Sequence, residues 1–109
     1  RKYPRMDISN LCKITITDSG QTFEGRMDNI CANGFAFLSR DSFFADKKGT
    51  TIKLEISNFE PVNKPIEGRI IRSSNNEGVY IVGCQMPEDH AKIKEYVEKH
   101  MKNDNSTFV

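Results

Sequence analysis

At 109 residues the chain has room for one hydrophobic core and not for two. Hydrophobic residues make up 37% and charged residues 28%, ordinary values for a water-exposed globular domain, and no stretch approaches the ~18 consecutive apolar residues of a membrane span. The formal charge of +1 supplies no long-range pull toward DNA or an anionic membrane, so any anion site has to be assembled locally from a few residues.

The chain opens R-K-Y-P-R, its densest cluster of positive charge, with no core role of its own. Leu11 to Thr17 alternates, Cys12, Ile14 and Ile16 against Lys13, Thr15 and Thr17, which predicts a half-buried strand. Asp18-Ser19-Gly20 is a turn signal, so Gln21 to Asp28 is expected to fold back antiparallel with Phe23 and Met27 toward the core. After a break at Cys31-Ala32-Asn33-Gly34, G-F-A-F-L-S predicts a short aromatic strand, and a connection from Asp41 to Gly49 follows.

The run T-I-K-L-E-I-S-N carries the cleanest period-two pattern, with Ile52, Leu54 and Ile56 on one face. Asn58 to Pro65 holds two prolines and reads as loop. Ile66 to Arg72 and Val79 to Met86 predict two further strands around a hairpin loop at Ser73 to Gly78. Pro87, Glu88 and Asp89 supply a helix start, and Ala91, Ile93, Tyr96/Val97 and Met101 then recur at helical spacing. Residues 103–109 read as a frayed tail. Six short, mostly antiparallel strands followed by one helix predict an all-β fold, a six-stranded β-barrel with a C-terminal α-helix packed on it or closing one end.

Cys12, Cys31 and Cys84 form an odd set without a C-x-x-C pair, which signals neither a disulfide framework nor a zinc site and makes a reducing cytosol the natural compartment. No signal peptide is visible, and a chain that starts at Arg1 reads as part of something longer. His90 and His100 lie ten positions apart, too far to share a metal on one helix face. Cys31 has no base or orienting group near it in sequence, and there is no glycine-rich phosphate loop. A catalytic constellation is therefore not expected, nor a metal or a cofactor.

Two stretches carry no obvious packing role: R-K-Y-P-R, and D-N-I-C-A-N-G at positions 28–34. On local grounds the first is a solvated charged tail. The second is a bulge or loop in which Asn33 and Gly34 take positive φ and Asn29 ties down the turn.

Taken together the two stretches resemble the signature of the PilZ domain, a bacterial receptor module for cyclic di-GMP. In that family an R-x-x-x-R sequence precedes the barrel and a D/N-x-S-x-x-G sequence ends the second strand. Here Arg1-Lys2-Tyr3-Pro4-Arg5 matches the first, and Asn29-Ile30-Cys31-Ala32-Asn33-Gly34 matches the second with cysteine in place of serine. One predicted hairpin separates the two, as in the family. V-Y-I-V-G-C-Q-M at 79–86 is similar to the family's last strand before its closing helix. The resemblance covers nearly the whole chain and implies a division into an arginine segment (1–10), a barrel with its helix (11–102) and a tail (103–109).

The resemblance implies cyclic di-GMP as ligand, held by Arg1, Arg5, Asn29, Cys31 and Gly34. Guanine presents O6 and N7 as adjacent acceptors that an arginine fork can engage bidentately, and the phosphates offer a second target. Asn29 can donate and accept at a guanine edge, Gly34 allows close backbone approach, and Cys31 is a weaker hydrogen-bonding group than serine. Pro4 stiffens the arginine segment, which is expected to fold over the barrel on binding and so reposition an attached domain or an effector protein. DNA, RNA and membrane contacts are not implied, and the implied location is the cytoplasm, alone or as the cytoplasmic part of a membrane-bound protein. Two other readings keep the barrel: a degenerate PilZ-like protein-interaction module without ligand, and a small barrel that binds single-stranded nucleic acid. The near-zero charge disfavours the latter.

Overall fold

The computed structural model describes residues 3–106, with side chains to residue 100. Seven strands, a short 3-10 turn and one helix follow in order: β1 (Met6–Asp7), β2 (Leu11–Ile16), β3 (Thr22–Cys31), β4 (Gly34–Ser39), the turn Ser42–Phe44, β5 (Thr51–Ile56), β6 (Ile66–Asn76), β7 (Val79–Gln85) and α1 (Ala91–Ser106). The sheet runs β3-β2-β5-β6-β7-β4, and pairing of β4 back to β3 closes six antiparallel strands into the predicted barrel. Closure leaves these strands without the exposed edges an open sheet would have.

The six barrel strands are those the alternation predicts, and the seventh is an addition. β1 pairs Met6 with Ile30 and Asp7 with Asn29, lying beyond β2 on the same edge of β3. Two residues are too few to show a period, so nothing in M-D announces a strand.

Cys12, Ile14, Ile16, Met27, Ile52, Leu54, Ile70 and Val82 point into the core, as alternation requires. Phe23 lies at its margin, against Phe43 and Phe44. Phe44, from the connection after β4, is fully buried, and its ring centroid stands 5.3 Å from that of Phe37 in an edge-on contact. Asp41 caps this turn by accepting from the Phe43 amide at 2.9 Å, and the Ser73 hydroxyl donates to the Phe44 carbonyl at 2.6 Å. Phe44 thereby plugs one end of the barrel. At the other end Ile93 and Val97 of α1 enter the core, and Tyr96 packs edge-on against Phe59. Cys12 and Cys84 are core residues whose thiols burial pushes up to about 12.

Several boundaries differ from the sequence reading, the largest at β3, which runs past Asp28 to Cys31, at the β6–β7 hairpin and at both ends of the helix. β6 runs on through Asn76, so Ser73 to Asn76 are strand, and the hairpin turns on Glu77 and Gly78 alone, both at positive φ. The helix begins at Ala91 rather than at Pro87. His90 precedes it, its Nδ1 accepting from the Ile93 amide at 3.3 Å while its own amide donates to the Ala32 carbonyl at 2.7 Å. The helix then continues to Ser106, beyond Lys102.

Candidate functional site

β3 and β6 each carry one extra residue where the ladder shifts register, Asp28 between Met27 and Asn29, and Ile71 between Ile70 and Arg72. Such a bulge reverses the strand's alternation. Met27 and Ile30 both face the core, and Asn29 turns outward between them. Ile70 faces in, while Ile71 and Arg72 both lie at the surface, Ile71 40% exposed.

The two bulged strands flank β4 and β7, and the ladder sets Asn29 opposite Ala36, Ala36 opposite Gly83, and Gly83 opposite Arg72. A second row sets Cys31 opposite Gly34, Gly34 opposite Gln85, and Gln85 opposite Arg69. Because Phe35, Phe37, Val82 and Cys84 point into the core, Gly34, Ala36, Gly83 and Gln85 face outward. The middle of the first row is thus almost without side chains. The result is a trough on the outside of the barrel, floored by Ala36 and Gly83 and walled by Asn29 and Arg72.

Arg5 completes this trough, a cleft of about 290 Å³ whose rim also includes Cys31, Asn33 and Gly34. Met6 and Asp7, paired to β3, bring Arg5 there. Four of the five residues implied by the resemblance, Arg5, Asn29, Cys31 and Gly34, therefore meet around one cleft. Arg1 lies outside the described residues. Neither the Arg5 nor the Arg72 side chain has an ion pair or hydrogen bond among the described residues, and none of those lining the cleft is a carboxylate. Asn29 donates from its amide to the Asp28 carboxylate at 2.9 Å, and the Cys31 thiol donates to Asn33 Oδ1 at 3.1 Å.

The positive φ expected at Asn33 and Gly34 is absent, since both have negative backbone φ and Ala32-Asn33 form a two-residue hairpin turn. Gly34 has a different reason to be glycine: a Cβ there would stand 2.7 Å from the Cys84 carbonyl oxygen. Gly83 is the matching case, because a Cβ would meet Nε, Cγ and Cζ of Arg72 at 2.8–3.1 Å. The Arg72 side chain lies across it. Upstream, the Tyr3 hydroxyl donates to the Asp89 carboxylate just before α1, and Lys94 Nζ stands 5.6 Å from the Tyr3 ring centroid. That carboxylate acceptor stabilises the protonated phenol and raises its pKa.

Sequence reasoning missed Asn33, Ile71, Arg72 and Gln85. Asn33 lies inside the quoted motif and was assigned only to the turn. Arg72 and Ile71 owe their positions to a bulge.

A barrel with a helix after its last strand and a basic trough beside the second hairpin is an architecture shared with a defined family. The PilZ domain model matches residues 1–99, and the chain belongs to that family. Among solved structures the Bacillus subtilis inhibitor of motility MotI/DgrA is similar at a TM-score of 0.74 and 20% identity, over 94% of this chain and 52% of its own. The K. pneumonia MrkH complex with c-di-GMP is similar at 0.73 and 13%, over 98% of this chain and 55% of MrkH. The PilZ domain of YcgR from Escherichia coli, solved with c-di-GMP, is similar at 0.69 and 12%, over 100% of this chain and 98% of that domain. This chain thus spans about half the length of the MotI/DgrA and MrkH chains. No curated protein matches it.

Proposed function

We propose that this domain is a cyclic di-GMP receptor in which the R-x-x-x-R segment closes over the trough. The observation that carries the reading is the convergence of Arg5, Asn29, Cys31 and Gly34, distant in sequence, on one cleft with unpaired guanidinium groups and no carboxylate lining. Such a cleft favours an anionic ligand with flat hydrogen-bonding edges, and a cyclic dinucleotide has both. Family membership and the ligand-bound relatives point the same way.

In this reading Arg1 and Arg5 engage guanine O6 and N7 or a phosphate, Asn29 meets a guanine edge, and the small residues let the ligand lie against the backbone. β1 holds the segment downstream of Arg5, so the rearrangement takes place upstream of Met6, around Pro4. Its consequence is a change in how the segment approaches α1, transmitted to a neighbouring domain or an effector protein. The free cysteines fit a cytoplasmic setting.

Calorimetric titration with cyclic di-GMP tests the proposal. Arg5→Ala is expected to abolish binding while leaving the thermal transition nearly unchanged, since Arg5 makes no polar contact among the described residues. Unaltered affinity in that variant would refute the clamp. Absence of binding by the unaltered domain would favour an interaction module without ligand.

A further inference from the structure

Arg72 belongs to neither motif, yet it stands in register with Asn29 across the floor formed by Ala36 and Gly83. Three inter-strand spacings separate the two walls, about 14 Å when followed along the curved sheet. The side chain is exposed and makes no hydrogen bond or ion pair among the described residues. It rests instead along the Gly83 backbone, where any Cβ would displace it. The bulge at Ile71 puts it there, and the same bulge leaves Ile71 exposed at the cleft wall.

We propose that Arg72 is a ligand-contacting arginine on the wall opposite Asn29, with Gly83 left bare so that the guanidinium can lie over the floor. The inference rests on the cyclic di-GMP reading and deepens it. A bound dinucleotide is then held from both sides: Arg5 arrives with the N-terminal segment, whereas Arg72 is delivered by the barrel. A planar cation at that wall can stack on a base or fork onto a phosphate, and Ile71 adds an apolar surface beside it. Both arginines serve the same anionic ligand, but only Arg72 is independent of how the segment closes.

The test compares calorimetric titrations of cyclic di-GMP into the unaltered chain, Arg72→Ala, Gly83→Ala and the distant surface control Arg40→Ala, with a melting curve for each. Arg72→Ala is expected to lose affinity about 10- to 100-fold, the usual range for a charge-assisted contact, with an unchanged transition. Gly83→Ala folds, because its methyl meets a movable side chain rather than backbone, and loses affinity comparably. Arg40→Ala binds as the unaltered chain does. Equal binding by Arg72→Ala and the unaltered chain overturns the inference and leaves the receptor reading standing, as does equal weakening by Arg40→Ala, which would reduce Arg72 to general charge. No binding by the unaltered chain overturns the receptor reading itself.

Discussion

Gly34→Ala separates two explanations of the motif glycine. Its φ is outside the left-handed region, so alanine fits the backbone and, with space available, would stabilise the fold by about 0.4–1 kcal/mol through the unfolded chain. Space is not available. The new Cβ would stand 2.7 Å from the Cys84 carbonyl oxygen, and that contact has to open to at least 3.0 Å. The neighbour is backbone, in the ladder where Gly34 pairs with Gln85 and Phe35 with Cys84, so β4 and β7 must part at the cleft rim. Overpacking of this kind costs about 1–3 kcal/mol. At roughly 4 °C per kcal/mol for a domain of this size, the melting temperature is expected to fall by roughly 4–12 °C. Circular dichroism melting measures this, with binding titrated well below the transition. An unchanged or raised melting temperature would refute the packing argument and leave ligand approach as the reason for the glycine. If stability falls as expected, lost binding in this variant is no evidence of a direct contact at Gly34.

Three other outcomes are expected. Cys31→Ser restores a stronger hydrogen-bonding group at the cleft and should tighten cyclic di-GMP binding roughly 2- to 12-fold, the equivalent of about 0.5–1.5 kcal/mol, by the same titration. Phe44→Ala empties the plugged end of the barrel and should destabilise by about 3–5 kcal/mol in urea unfolding, with no bearing on the remote cleft. Cys12 and Cys84 ionise near 9.0 when unfolded and only at about 12 when folded, so the unfolded chain binds fewer protons between these values. Their contribution is intact below pH 9 and is lost as pH rises toward 12, with a slope of up to about 2.7 kcal/mol per pH unit for the pair. The Cys12→Ala/Cys84→Ala double variant should show a flatter alkaline limb in denaturant titrations at stepped pH.

The fold was legible because strand alternation is a local signal. Cys12, Ile14 and Ile16 share a face whatever the strand pairs with, and Ile52, Leu54 and Ile56 repeat the pattern. Boundaries were less so. Polar residues at Ser73 to Asn76 look like loop, yet the strand persists because Ser73 to Asn76 pair with Val82 to Val79 and the turn needs only Glu77 and Gly78. Pro87, Glu88 and Asp89 have helix-start chemistry, but His90 fills the cap and the Asp89 carboxylate is taken by Tyr3.

The site was half legible, and the division has a physical cause. Motif residues near one another in the chain, Asn29 to Gly34, announce themselves by turn chemistry and the spacing of their polar groups. The opposite wall obeys a different rule. Uninterrupted alternation through Ile66, Gly68 and Ile70 would send Arg72 into the core, and through Phe23, Gly25 and Met27 it would bury Asn29 as well. One inserted residue in each strand reverses both, so that two polar side chains destined for the interior emerge on the same outer row, with Ala36 and Gly83 between them. The paired bulges are therefore what convert a closed, apolar barrel into a receptor surface: they leave the core intact, cost two ladder positions, and supply the trough with walls. Deleting Ile71 removes only the unpaired residue, because Ile70 already pairs with Cys84 and Arg72 with Gly83; Arg72 is therefore expected to stay on the outer row while the local kink is lost, and urea unfolding of this variant beside the unaltered chain measures what the bulge costs.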